Sequence, residues 1–274
     1  EAIRYQEKGL AIAREIGDRK SEGKALGDLG LAYDSLGDYH NAIEFQEKSL
    51  AIAREIGDKK SEGYALGNLG IAYDRQGDYR KAIEYHEQRL VIAGEIRDRG
   101  SEGYAIGSLG LAYYNLGEYT KAIEHQEKHL AIAREIGDRK GEGYALGNLG
   151  SVYIRLCDYK KAIEYHEQRL VIAREIGHRK GEGHALGNLG LAYAALGETL
   201  KAVEYYEQAL AIAREIGDRR GEGNALWNIG LAREELDDRA RAIKYAKAAL
   251  KIYEEIGDPS AEEVKRTLQE WSHQ

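Results

Sequence analysis

The fold of this chain is decided by residues 65–93, which read ALGNLGIAYDRQGDYRKAIEYHEQRLVIA. The first six of these residues recur, with small changes, at a constant spacing of 40 residues. The recurrences stand at 25–30, 105–110, 145–150, 185–190 and 225–230. The second half recurs as well, because KAIEYHEQRLVIA occupies both 81–93 and 161–173. A fixed period of this length predicts stacked structural repeats that each bury a face against their neighbours.

Each repeat is predicted to hold two helices. The apolar residues of 65–76 follow a helical spacing, Gly77-Asp78 interrupts it, and a second helical stripe runs over 79–93. A glycine is expected to end each second helix in a left-handed cap, and an aspartate to cap the helix that follows. The glycines are Gly57, Gly137, Gly177, Gly217 and Gly257, and the aspartates are Asp18, Asp58, Asp98, Asp138 and Asp218. Arg97 and His178 depart from these two columns.

Two other columns carry predictions about packing. Gly63, Gly67 and Gly70 lie inside one first helix, where each glycine costs about 1 kcal/mol relative to alanine. We therefore expect a neighbouring helix to approach closely at these positions. Glutamates near the start of each first helix follow basic residues and are interpreted as surface pairs. They are Glu22, Glu62, Glu102, Glu142, Glu182 and Glu222.

The predicted fold class is all-α, a solenoid of antiparallel helix pairs. One solenoid is expected to cover residues 1–274. Residues 1–17 match only a second helix, six repeats of 40 residues fill 18–257, and 258–274 form a polar capping helix that starts at Asp258-Pro259.

Composition narrows the classes of function. The formal net charge is −7, and basic residues are spread among glutamates, which disfavours nucleic acid as a partner. No apolar stretch is long enough for a membrane span, and the N-terminus does not have the pattern of a signal peptide. A single cysteine, Cys157, excludes an internal disulfide and favours a cytoplasmic location.

The sequence offers little that points to chemistry. GEGYALG at 141–147 has the wrong spacing for a phosphate-binding loop. His125 and His129 have the spacing of a metal pair but no third ligand nearby in sequence, so we interpret them as a surface coincidence. Cys157 lacks a local base. We therefore expect no enzyme activity, no metal and no cofactor.

These residues resemble the tetratricopeptide repeat. One repeat shows the pattern as Leu69-Gly70, Ala72-Tyr73, Gly77-Asp78-Tyr79, Ala82-Ile83 and Leu90. Where the family usually has alanine late in the second helix, this chain has Arg89, His129 and Arg169, with alanine again at Ala209 and Ala249. The length of 40 residues is similar to Pins/LGN-like adaptors and to arrays appended to bacterial signalling ATPases. The resemblance implies a right-handed superhelix whose first helices line a concave groove that binds extended peptides.

Three sets of residues are candidates for that binding. A polar residue precedes each Leu-Gly pair, inside an otherwise apolar helix: Asp28, Asn68, Ser108, Asn148, Asn188 and Asn228. We call this set the polar column; in similar repeats its asparagine hydrogen-bonds a peptide backbone. One turn earlier, Tyr64, Tyr104 and Tyr144 would supply aromatic anchors. One turn later, Arg75 and Arg155 lie among positions that vary between repeats. The competing interpretations are contacts between repeats and neutral change at exposed positions.

Three functions follow in order of support. The first is a protein-interaction scaffold that binds an extended peptide or partner protein. The second is a ligand-sensing array of a larger signalling ATPase of the STAND type. The third, an enzyme, is poorly supported because no nucleophile, base and stabiliser occur together. The apolar face of residues 1–16 also predicts weak self-association through the N-terminal end.

Overall fold

Helices make up nearly all of residues 2–273, the part of the chain that this computed structural model describes. Within it, fourteen helices and no strand are present. They are α1 (Ala2–Glu15), α2 (Arg19–Ser35), α3 (Tyr39–Glu55), α4 (Lys59–Gln76), α5 (Tyr79–Glu95), α6 (Arg99–Asn115), α7 (Tyr119–Ile136), α8 (Arg139–Arg155), α9 (Tyr159–Glu175), α10 (Arg179–Ala195), α11 (Thr199–Glu215), α12 (Arg219–Glu235), α13 (Arg239–Ile256) and α14 (Ser260–His273). The predicted all-α class is confirmed.

The helices gather into two compact units, Glu1–Gly141 and Glu142–Gln274. Within each unit, consecutive helices pack against each other as antiparallel pairs. The predicted bounds of the single solenoid, of its repeats and of its two end segments stay predictions. Glu1 and Gln274, which those bounds include, lie outside the described residues.

Capping residues set the helix ends as expected. Gly57 and Gly137 end α3 and α7 with φ of 69° and 71°, a region that glycine enters without steric cost. Asp58 then accepts a hydrogen bond from the backbone N of Ser61 at 3.1 Å, which satisfies a free donor at the start of α4. His178, in the equivalent place before α10, makes no such bond.

The glycines inside the first helices make room for side chains more than for backbone. A Cβ at Gly70 would lie 2.6 Å from His86 Nδ1, and one at Gly110 would lie 2.6 Å from Gln126 Nε2. The second helix therefore does approach the first helix closely at these glycines, but a large polar side chain of the second helix, and not its backbone, occupies the space. At Gly230 a Cβ would meet backbone instead, at 3.3 Å from the carbonyl oxygen of Ala242.

The glutamate column forms the expected pairs with the preceding basic residues, but the expected surface location is wrong for most of its members. Glu22, Glu62, Glu142 and Glu182 are 6–8% exposed. Glu182 accepts a hydrogen bond from Arg174 Nε at 2.8 Å and also pairs with Arg179. The Glu182 carboxylate thus joins the end of one second helix to the start of the next first helix. Because both arginines cover it, the carboxylate is largely shielded from water.

Candidate peptide-binding site

A cleft opens in the first unit between α2 and α4, above α3. Its volume is about 430 Å³, and we call it the N-cleft. Asp28, Asn68 and Tyr64, which belong to the predicted site, lie together on its wall. Lys20 and Lys24 also line it. The apolar part of the wall comes from Leu31, Ile52, Ala53 and Ile56.

A second cleft, which we call the C-cleft, opens in the second unit between α10 and α12, above α11. Its volume is about 330 Å³. Asn188 and Asn228 of the polar column line it together, and His184 and Asn224 lie on the same wall. Asn224 accepts a hydrogen bond from the Tyr253 hydroxyl at 2.8 Å. Ser108 and Asn148 line neither cleft.

The polar column has no hydrogen-bond or ion-pair partner in the part of the chain that the structure describes. All six side chains are half-buried. Among the described residues, none of the six makes a hydrogen bond or an ion pair. The interpretation that they bond to the neighbouring repeat is therefore wrong. Each side chain has donors or acceptors without a partner among the described residues, and solvent still reaches part of it.

The three candidate tyrosines have exposed rings. Tyr64, Tyr104 and Tyr144 are 53%, 43% and 40% exposed. Tyr104 lies with its ring centroid 6.2 Å from that of His129, and Tyr144 meets His178 edge-on at 6.2 Å. Large exposed aromatic surfaces of this kind favour contact with a partner. In contrast, Tyr73 and Tyr193 are buried, and Tyr73 stacks on Tyr85 at a centroid distance of 5.4 Å. Their equivalents Tyr33, Tyr113 and Tyr153 are half-buried.

The two candidate arginines lie on exposed ends of first helices. Arg75 forms an ion pair with Asp34, which occupies nearly the equivalent place in the preceding repeat. That pair ties one repeat to the next, so a ligand would have to compete with Asp34 for Arg75. Arg155 is exposed at the end of α8.

The suggested surface coincidence of His125 and His129 is wrong in one respect, because His129 is 5% exposed. It packs over Gly107, where a Cβ would lie 2.9 Å from His129 Cε1. His125 instead packs beside Tyr113 at a centroid distance of 5.1 Å. The two rings therefore serve different contacts, and no cluster of metal-ligating side chains occurs among the residues described.

Sequence reasoning did not predict where Arg89 and Arg169 would lie relative to the clefts. Their column was noted only as a departure from alanine. In space it is the floor of the clefts, where Ser49 and Ala209 stand below the N-cleft and the C-cleft. The sequence carried a signal for this position. A charged residue stands where some other repeats have a small one, and it faces a glycine 22 residues earlier, as Arg89 faces Gly67.

Comparison with known families decides the identity of the repeat. A model described as "Tetratricopeptide repeat" matches residues 1–55, 24–93, 104–175 and 182–255, and a second model of that description matches 68–136. The chain belongs to the tetratricopeptide repeat family. The resemblance inferred from the sequence is therefore confirmed. A comparison with curated proteins gave no match.

Solved structures of other tetratricopeptide repeat proteins show the same fold. BtubC (BKLC) from P. vanneervenii is 20% identical with a TM-score of 0.70, and the match covers 79% of this chain and 91% of that one. A STAND protein with a tetratricopeptide repeat sensor from Pyrococcus horikoshii is 21% identical with a TM-score of 0.73. That match covers 91% of this chain, which spans only 39% of the STAND protein. A Rap protein complexed with Competence and Sporulation Factor is 17% identical with a TM-score of 0.68, covering 93% and 75%.

The helices of this tetratricopeptide repeat chain are amphipathic and short. In the part of the chain described, none combines the length and the apolar character that a membrane crossing requires. This agrees with the composition, in which 32% of the residues are charged.

Proposed function

We propose that this chain is a protein-interaction scaffold that binds an extended segment of a partner protein along its first helices. The observation that supports this most directly is the polar column, with six half-buried side chains that have no partner among the described residues. A fold that needed only packing would place apolar or paired residues there.

The chemistry of the polar column suits a peptide backbone. An extended peptide carries a donor and an acceptor at almost every residue, and both need partners when the peptide is buried. An asparagine amide offers both kinds of group without requiring a particular side chain. Tyr64, Tyr104, Tyr144, Arg75 and Arg155 would then supply selectivity through the side chains of the ligand.

A sensor array of a STAND-type ATPase is the second candidate. It is supported by the similarity to the STAND protein, in which the sensor repeats occupy only part of a longer chain. A phosphate-binding loop encoded elsewhere in the same gene would favour it. Both candidates need a ligand in the clefts, so the same binding experiment serves both.

We do not propose catalysis for this chain. Tetratricopeptide repeat chains are in general scaffolds without catalytic activity. We place the chain in the cytoplasm, because its one cysteine, Cys157, is exposed as a free thiol and thiols persist in reducing compartments.

The test is selection of ligands from a displayed library of random, unstructured peptides on the immobilised chain. We expect the wild-type chain to enrich a related set of sequences. The variant Asn148→Ala with Asn188→Ala should enrich them far less. Gln168→Ala with Gln208→Ala is the matched control, because these exposed amides bond only to their own helices. Failure to enrich any peptide, or equal enrichment by the Asn148/Asn188 variant, would contradict the proposal.

A further inference from the structure

The second helix α13 departs from a charge pattern that the earlier second helices keep. Each of α3, α5, α7, α9 and α11 carries two exposed glutamates, three residues apart, at the same two positions. These are Glu44 and Glu47, Glu84 and Glu87, Glu124 and Glu127, Glu164 and Glu167, and Glu204 and Glu207. In α13 both positions are lysine, as Lys244 and Lys247. The sign of the charge on this face is therefore reversed in α13.

Two further basic residues extend this reversal along α13. Lys251 stands where the earlier second helices have alanine or valine, and Arg241 lies one turn before Lys244. All four basic side chains are exposed, whereas the opposite side of α13 is buried. Residues three and four apart lie on one side of a helix. Arg241, Lys244, Lys247 and Lys251 therefore form one continuous row, which we call the basic stripe.

Most of the charges on α13 and on the neighbouring α11 have no partner. Among the described residues, the three lysines of the basic stripe make no ion pair, and Arg241 pairs with Asp238 at 3.4 Å. On α11, Glu204 also makes no ion pair with any described residue. Glu207 has one distant contact, 3.5 Å from Arg233 Nη2. Both helices thus present charges that are solvated mainly by water and are available to a partner.

Helices α11 and α13 present opposite charges side by side. Both pack on α12 in the second unit, and they hold the same place in successive repeats, so their exposed faces point to the same side of this unit. Glu204 is equivalent to Lys244, and Glu207 is equivalent to Lys247. A surface with an acidic helix beside a basic helix of the same spacing is complementary to itself. A two-fold axis parallel to the helices would place the acidic helix of each copy on the basic helix of the other copy.

One pair of like charges would also meet in this arrangement. Arg241 is equivalent to Lys201, so the two cations would face each other one turn before the Lys–Glu pairs. Both already have partners within their own copy. Lys201 Nζ lies 3.8 Å from the centroid of the Tyr193 ring, and Arg241 pairs with Asp238. These contacts reduce the repulsion, and the four Lys–Glu pairs of the two-fold arrangement outnumber the like-charge contacts.

A second copy of this chain suits the surface better than a nucleic acid or an anionic membrane. The glutamates of α11 lie directly beside the basic stripe and would repel a phosphate backbone or anionic headgroups. Within the described helix α13, no large apolar residue between Arg241 and Lys251 is exposed, so the stripe offers nothing to insert into a bilayer. Two chains of net charge −7 repel each other in general. A locally complementary surface overcomes this in one orientation.

We propose that two copies of this chain pair through the outer faces of α11 and α13, with Lys244 and Lys247 of each copy on Glu204 and Glu207 of the other copy. The pairing is independent of the ligand proposed above, because these four residues lie outside the lining of both clefts. Exposed ion pairs contribute little individually. The dimer is therefore weak and forms best at low ionic strength.

The first test is sedimentation equilibrium at about 0.02 M and about 0.5 M salt, which shortens the screening length from roughly 20 Å to roughly 4 Å. All proteins in the test carry Ile12→Lys, because the exposed Ile12 of α1 offers a separate apolar contact. We expect this reference protein to dimerise at the lower salt, and its dissociation constant to rise at least tenfold at the higher salt. A monomer at the lower salt, or a dissociation constant that does not change with salt, would overturn the inference.

The second test exchanges the charges. Lys244→Glu with Lys247→Glu makes both faces acidic, and Glu204→Lys with Glu207→Lys makes both faces basic. Each variant takes its new side chains from the equivalent positions of this chain, so both should melt close to the reference. At the lower salt each variant alone should be monomeric, whereas an equimolar mixture of the two should form a heterodimer. A mixture that stays monomeric, or variants that dimerise alone as the reference does, would overturn the inference.

The matched control for the first variant is Lys128→Glu with Lys160→Glu, which makes the same change of net charge at exposed positions of α7 and α9. It should dimerise as the reference does. Loss of the dimer in this control would show that net charge governs association, and would overturn the inference. Capture of a random DNA duplex by the reference at about 0.15 M salt, lost in the Lys244/Lys247 variant, would assign the stripe to nucleic acid and overturn it as well.

Discussion

Two buried histidines show how single residues set the behaviour of a repeat. His86 and His166 are 1% and 0% exposed, and they occupy the place that Gln46 and Gln126 take in other repeats. Each of these glutamines donates from Nε2 to the carbonyl oxygen of a glycine at 2.8 Å. In the described structure, the ring nitrogens of His166 are buried without a hydrogen-bond partner. The histidine repeats therefore hold a titratable group where the glutamine repeats hold a neutral amide.

Burial lowers the pKa of His86 to about 4 and that of His166 to about 3, and the nearby charges of Arg89 and Arg169 act in the same direction. In the unfolded chain a histidine titrates near 6.5. The unfolded state therefore takes up protons first as the pH falls. The contribution of the neutral rings is fully present above about pH 6.5. It is lost as the pH falls from there toward the two lowered values.

We predict that His86→Gln with His166→Gln makes the chain more resistant to acid. Between pH 6.5 and 5, each histidine should cost the wild-type chain about 2 kcal/mol of unfolding free energy, at roughly 1.4 kcal/mol per pH unit. The variant should lose much less. Urea titrations at pH 7.5 and pH 5 measure this, with His40→Gln as the exposed control. If the wild type and the His86/His166 variant lost the same unfolding free energy between pH 7.5 and pH 5, the prediction would be contradicted.

At the scale of helices, buried carboxylates connect successive pairs. Glu182 is 6% exposed and joins Arg174 at the end of α9 to Arg179 at the start of α10. Arg179 also pairs with Glu215 at the end of α11. In the first unit, the hydrogen bond from Arg14 is the main cause that lowers the pKa of Glu22. The network thus holds the ends of three consecutive helices together.

Removal of one such carboxylate should weaken the connection between repeats. We predict that Glu182→Ala lowers the unfolding free energy by about 1–3 kcal/mol, because two arginines lose their acceptor but can still reach water. Glu167→Ala, on an exposed face of α9, is the control and should stay within about 0.5 kcal/mol of the wild type. Chemical denaturation of the three proteins makes the comparison. An equal effect of the two substitutions would show that the buried network adds nothing.

The first helix exposes apolar residues that its equivalents bury. Ile12 in α1 is 58% exposed, whereas Ile52 at the same place in α3 is 5% exposed and packs on Gly23. Tyr5 and Ile16 are also exposed, at 73% and 68%. Within residues 1–16, Glu1 and the side chain of Ala2 lie outside the described residues.

We predict weak self-association of this chain through α1. Sedimentation velocity at increasing concentration should show a growing average mass for the wild type, since exposed apolar surface favours association. Ile12→Lys should reduce this growth, and Ile176→Lys, which changes an exposed isoleucine elsewhere, should not. Monomeric behaviour of the wild type at high concentration would count against the prediction.

At the scale of the whole molecule, the 40-residue period was enough to predict the helices and most of their caps. The period was enough because capping residues such as Gly57 and Asp58 fix the helix ends through contacts with residues only a few positions away in the sequence. The floor of the clefts could not be predicted in the same way. Arg89 meets Gly67 across 22 residues, and only the packing of α5 on α4 brings them together. The burial of Glu182 was missed for the same reason, because Arg174 covers it from another helix.

The last helix covers the end of the second unit. Val264 and Leu268 of α14 are buried against the core, and the rings of Trp227 and Trp271 lie 6.1 Å apart. We predict that deletion of residues 258–274 raises hydrogen exchange first in α12 and α13, while α9 and α10 keep most of their protection. In a repeat array each unit depends mainly on its neighbours. Uniform protection from α9 to α13 after the deletion would contradict this.

The central claim is that the polar column binds the backbone of a partner and does not serve the fold. The most direct measurement is calorimetric affinity for a peptide selected by the wild-type chain, paired with a melting curve, for Asn148→Ala with Asn188→Ala. We predict that binding weakens by about 1–3 kcal/mol in total, the usual scale for lost hydrogen bonds. The melting temperature should barely change, because alanine is the better helix former. Unchanged affinity, or a large loss of thermal stability, would contradict the claim.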